Sequence, residues 1–102
     1  MVSALILLGV PTDPQDFDTH FVEVHRQLLL RIPRVEELRL HRVAGAAKGD
    51  PPFRLVVEVR FASEEAMQEG LNSEEGQAMA RDLGCFASGG ATVLFCQTDV
   101  EA

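Results

Sequence analysis

The chain contains no tryptophan and no tyrosine; its aromatic content is six phenylalanines. Without phenol or indole groups, few side chains remain that could hold a polar substrate. Cysteine is nearly as scarce. Cys85 and Cys96 are the only thiols, and without CxxC spacing they build neither a zinc site nor a disulfide framework. Each is expected to be a small buried hydrophobe. Basic residues are few, nine against sixteen acidic, and the net charge of −7 repels a phosphate backbone. Arg26, Arg31 and Arg34 are close in sequence, but Glu23, Glu36 and Glu37 flank them, which reads as a solvated, salt-bridged face. Nucleic acid is therefore not an expected partner. Long apolar runs are also missing. Val2–Val10 is far shorter than the ~20 residues that span a bilayer, so no membrane partner is expected. Met1 leads straight into strand-like sequence without a basic n-region, so no signal peptide is expected and the expected compartment is the cytoplasm.

What is present suits one folded domain. A chain of 102 residues with 46% hydrophobic content can bury an adequate core. Val2–Gly9 is apolar and strand-length. Asp13 as N-cap and Pro14 just inside the start predict a helix from about Pro14 to Ile32, closed by Pro33. Val35–Val43 has β-like content, and Ala44–Pro52 reads as a loop. Phe53–Phe61 alternates, with Phe53, Leu55, Val57, Val59 and Phe61 on one face. Ser63 and its acidic neighbours open a second helical region. Ser73-Glu74-Glu75 repeats the signal, so two pieces joined at Gly70–Asn72 are expected. Gly89-Gly90 ends them, and Ala91–Thr98 is the last strand. The order β-α-β-β-α-β describes an α+β, ferredoxin-like fold: a four-stranded antiparallel sheet with the helices on one face.

The first and last strands are apolar on both sides. Val2, Ala4, Ile6 and Leu8 stand opposite Leu5 and Leu7; Val93 and Phe95 stand opposite Leu94 and Cys96. With helices on one face only, the other needs cover. A second copy supplies it most simply, giving a homodimer joined sheet to sheet.

Two of the three histidines fall in the first helix, within Phe17-Asp18-Thr19-His20-Phe21-Val22-Glu23-Val24-His25. At about 100° per residue, Phe17, Phe21, Val24, Leu28 and Ile32 form the buried stripe, with His20 and His25 on opposite borders about 140° apart. A shared metal would need spacings of three or four, so no metal site is expected unless the helix is distorted. His41 sits mid-strand in phase with Glu37 and Arg39, a pattern read as a solvent side. A histidine bordering core and cleft can move a proton near neutral pH; it can equally be a structural residue bonded to a carboxylate or carbonyl.

The segment Phe17-Asp18-x-His20-Phe21-x-x-x-His25, followed by Leu28 and Ile32-Pro33, resembles the start of EthD-like proteins. Phe61-Ala62-Ser63-Glu64-Glu65-Ala66 resembles that family's strand-to-helix junction. Ser73 through Gly76, then Ala80-Arg81-Asp82-Leu83-Gly84-Cys85-Phe86, resembles its second helix. The resemblance implies a ferredoxin-like domain that dimerises into an α+β barrel, a cleft between helices and sheet, and His25 as its polar residue. Wider relatives include lactone isomerases, polyketide cyclases, cofactor-free monooxygenases and haem-handling enzymes. Three positions depart from the pattern: Phe21 replaces a usual tyrosine, Gln27 a frequent proline, and Arg34 the glycine after the Ile/Leu-Pro pair.

Two functions suit these residues. In one, a small enzyme handles a hydrophobic, carbonyl-bearing metabolite without a cofactor. His25 is its catalytic acid or base, and Phe17, Phe21, Phe61, Phe86 and Phe95 are substrate-binding walls. In the other, the chain is a non-catalytic ligand-binding or accessory protein of a catabolic oxygenase system.

Overall fold

Alternation of apolar side chains in Phe53–Phe61 decides how the sheet sits. In the computed structural model, which describes all of residues 1–102, this segment is β3. Its Leu55, Val57, Val59 and Phe61 are buried. It lies between β1 (Val2–Gly9) and β2 (Val35–Arg42), and β4 (Ala91–Gln97) completes the sheet on the far side of β1. The order is β2-β3-β1-β4, and every pair is antiparallel. Register aligns the apolar sets: Ile6 stands opposite Val57 and Val93, and Leu40 opposite Val57. One face therefore carries Val2, Ala4, Ile6, Leu8 and the β3 row, and packs against the helices. The expected α+β, ferredoxin-like architecture is the observed one.

The helices begin where side chains can satisfy free backbone N–H groups. Asp13 accepts from Asp16 N–H at 3.1 Å, with Pro14 at the first helical position, as N-cap chemistry requires. Ser63 accepts from Ala66 N–H at 3.1 Å and opens α3 (Glu64–Asn72). Ser73 accepts from Gly76 N–H at 3.0 Å and opens α4 (Glu74–Phe86), while its hydroxyl donates to Gly70 O at 2.5 Å. One hydroxyl thus closes α3 and starts α4, the expected joint. A Cβ at Gly70 would lie 2.5 Å from Pro33 O and 2.8 Å from the Phe61 ring, so glycine permits α3 to approach that corner.

The first helix departs from expectation. It runs as α1 (Pro14–His20), a π-helical turn (Phe21–His25) and α2 (Arg26–Arg31). At the turn, Arg26 N–H bonds Phe21 O, five residues back. A π turn takes in one extra residue, so the buried series becomes Phe17, Phe21, His25, Leu29 and Ile32. Val24, expected inside, is 40% exposed, and His25, expected on the border, is fully buried. The constant angle of an α-helix fails at this one turn.

Other expectations also shift. Cys85 is exposed rather than buried, because the inward positions of α4 are Gly76, Met79 and Leu83. His41 is 51% exposed and hydrogen-bonds Glu58 at 3.0 Å, on the side expected for it. At the edge of the sheet, β4 leaves Val93, Leu94 and Phe95 exposed. No helix is long and apolar enough to cross a membrane.

Candidate functional site

The π turn carries His25 inward to α4, where Asp82 meets it. His25 Nδ1 lies 2.8 Å from Asp82 Oδ2. His20 also reaches the same carboxylate, its Nε2 2.9 Å from Oδ1 and 3.0 Å from Oδ2. The two histidines expected on opposite borders therefore converge on one acid. An ionised carboxylate only accepts hydrogen bonds, so with Asp82 charged, both facing ring nitrogens carry the hydrogen. Neutral His25 then keeps its basic lone pair on Nε2.

Burial distinguishes the three groups. The His25 side chain is sealed, Asp82 is 12% exposed and His20 is 32% exposed. His25 Nε2 is buried and has no hydrogen-bond partner. Desolvation lowers the pKa of His25 from its ordinary 6.5; the hydrogen bond and charge of Asp82 oppose this, and the nearby His20 adds to it. The result is a neutral imidazole at neutral pH.

Phe86 follows Asp82 by one helical turn and so points the same way. Its ring stacks on His20 with centroids 4.7 Å apart and an interplanar angle of 22°, and lies 4.8 Å from His25. Phe17 and Phe21 complete the aromatic cluster, with Phe21 5.7 Å from His25 and Phe17 5.2 Å from Phe86. Of the five expected apolar walls, these three gather at the histidines. Phe61 lies in the sheet-side core, fully buried, and Phe95 stands on β4 at 65% exposure; neither joins the cluster.

Two openings flank the site without reaching His25. A cleft of about 240 Å³ is lined by Phe17, Phe21 and residues of the β2 and β3 ends. A broader, shallower one of about 460 Å³ has His20 and Phe86 in its wall. No three histidine, cysteine or carboxylate side chains gather in metal-binding geometry, and the two histidines here spend their facing nitrogens on Asp82. Sequence reading missed Asp82 as a partner of the histidines. Its signals were its place in α4, three residues after Met79 and four before Phe86, and its membership of the Ala80–Phe86 segment that resembles the EthD second helix.

A four-stranded antiparallel sheet with one helical face defines an α+β domain of ferredoxin-like type. The EthD domain matches residues 10–90, and the chain belongs to the EthD family. An uncharacterized 11.0 kDa protein from the thcB–thcC intergenic region of Rhodococcus erythropolis is 33% identical over 101 residues, covering 99% of this chain and 96% of that protein. The crystal structure of an EthD-family protein from Bacillus halodurans superimposes with a TM-score of 0.92 at 28% identity, covering 97% of this chain and 99% of that one. A dimeric ferredoxin-like protein of unknown function from Thermobifida fusca has a TM-score of 0.71 at 12% identity, over 95% of this chain and 90% of that one. This last likeness concerns the fold alone.

Proposed function

We propose that this EthD-family chain is a small enzyme in which His25 moves a proton on a hydrophobic, carbonyl-bearing metabolite, in an isomerisation, cyclisation or dehydration. One observation carries the reading: Asp82 holds His25 through Nδ1 and leaves Nε2 buried and unpartnered. A carboxylate on one ring nitrogen fixes the tautomer and aims the other as a base. The lowered pKa keeps that nitrogen unprotonated at neutral pH, as a general base requires. Phe17, Phe21 and Phe86 form the apolar surroundings. His25 is sealed, so a substrate reaches Nε2 only when the side chains around it move.

The working molecule in this reading is a cytoplasmic homodimer joined sheet to sheet, acting without a cofactor and without nucleic-acid or membrane partners. Exposed Leu94 on β4 and half-buried Leu5 and Leu7 on β1, which share the face away from the helices, support the dimer. So does the dimeric state of the Thermobifida fusca neighbour. Both cysteines are free, in keeping with a reducing compartment.

A second reading, a ligand-binding or accessory protein of an oxygenase system, draws on the complete burial of His25, which suits a structural histidine. The two are separated by α-proton exchange of a small aryl ketone such as phenylacetone in deuterated water, followed by NMR. The enzyme reading expects protein-dependent exchange that falls roughly 10²–10⁴-fold in folded His25→Ala. Equal exchange by both proteins removes His25 from the chemistry.

A further inference from the structure

The cleft of about 240 Å³ beside the histidine site has a rim unlike its walls. Phe17, Phe21, Val22, Val43 and Leu55 make the walls; Asp18, Arg42 and Arg54 stand at the rim. Arg54 Nε donates to Asp18 Oδ1 at 3.0 Å, and its Nη2 to Oδ2 at 2.6 Å. This is the two-pronged geometry by which a guanidinium recognises a carboxylate. Arg42 takes part in no ion pair, yet stands near enough for its charge to favour the ionised form of Asp18. Two guanidinium groups therefore face one acid, and the rim is locally positive on a chain of net charge −7.

Asp18 holds its place weakly. Its side chain is 50% exposed and that of Arg54 36% exposed, and exposed ion pairs contribute little. An incoming carboxylate can take over Arg54's prongs or settle on Arg42 beside them. The cleft is smaller than the roughly 300 Å³ at which drug-sized pockets begin, so the occupant is small.

We propose that this cleft binds a small apolar carboxylate, an aryl or branched alkyl acid, with its body against Phe17, Phe21 and Leu55 and its carboxylate on Arg42 and Arg54. The inference deepens the functional reading and rests on it in one respect. Phe21 walls the cleft and also lies 5.7 Å from His25, so the metabolite of that reading carries, besides the carbonyl on which His25 acts, a carboxylate anchored at the rim.

The test is titration of the full chain by ¹⁵N–¹H NMR, with benzoate as probe and benzyl alcohol as its uncharged counterpart. Benzoate is expected to shift the amides of Val22, Val43 and Leu55 and the Nε–H of Arg54 saturably. Benzyl alcohol is expected to bind roughly tenfold more weakly, the scale of one charged hydrogen bond. Arg42→Gln, at an exposed and unpaired position, weakens benzoate by a similar factor; Asp18→Asn, which removes the competing carboxylate, strengthens it roughly threefold. Equal binding of the two probes, shifts confined to other surfaces, or benzoate affinity indifferent to both substitutions overturns the proposal. Benzoate binding can fail while His25-dependent exchange persists, and the reverse, so the two readings fall separately.

Discussion

The rings of His25 and Phe86 lie 4.8 Å apart at 42°, and Asp82 hydrogen-bonds the first while preceding the second by one turn of α4. Removing the carboxylate therefore strips a partner from a sealed imidazole. Asp82→Ala should destabilise the fold by about 1–3 kcal/mol, the range for an orphaned buried polar group, and Asp82→Asn, whose amide oxygen can still accept from His25 Nδ1–H, by less. Double-mutant cycles read by urea denaturation should give a larger coupling for Asp82 with His25 than with His20, which is 32% exposed. Equal couplings would show that the acid serves both histidines alike.

Stability should also respond to pH through His25. Burial lowers its pKa in the folded chain below the ordinary 6.5. As pH falls through 6.5, the unfolded chain takes up a proton that the folded chain refuses. This contribution is complete above pH 6.5, declines below it, and levels off beneath the lower folded-state value. Urea midpoints measured across that range should fall, and the fall should flatten in folded His25→Asn. NMR of the ring nitrogens should find Nδ1 protonated and Nε2 bare at neutral pH.

Val24 is the residue the π turn accommodates without burying. Its deletion leaves His25 three residues after Phe21, so a regular α-helix buries Phe17, Phe21, His25, Leu29 and Ile32 in unbroken register. The shortened chain should fold cooperatively. Deleting Phe21 instead removes a side chain that is 2% exposed and should destabilise by about 3–5 kcal/mol or more. Circular dichroism melts distinguish these outcomes.

Arg34 occupies the left-handed region at φ 70°, where this family usually has glycine. A side chain there costs about 1–2 kcal/mol. Its ion pair with Glu69, each side chain about half exposed, returns little. Arg34→Gly should therefore be more stable than Arg34→Ala by about 1 kcal/mol. Thermal melts of the pair check it.

Leu94 stands opposite Leu5 on the sheet face away from the helices and is 47% exposed. Leu94→Glu should convert a dimer into a monomer at micromolar concentration with its circular dichroism spectrum unchanged. Sedimentation that shows the wild-type chain already monomeric would remove the dimer.

Local chemistry made much of this fold legible. The alternation from Phe53 to Phe61 and the caps at Asp13, Ser63 and Ser73 are written in contiguous residues, and those elements lie where they were expected, the strand ends moving by a residue. The π turn was not legible, because nothing in Phe21–His25 marks it. A fixed helical angle put His20 and His25 on opposite sides, and one extra residue per turn undoes that arithmetic. The carboxylate that joins them lies 62 and 57 residues further along, beyond any local pattern. Cys85 was misplaced because residue type suggested burial, whereas its position on α4 points outward.

The π turn has a consequence for how such a chain can change. A residue added within a regular helix would rotate everything downstream of it by about 100°. The π turn at Phe21–His25 instead absorbs such a residue within one turn, so His25, Leu29 and Ile32 still face the interior. Related chains that lose one residue here would keep the same interior chemistry, the same sheet and the same caps on a regular helix.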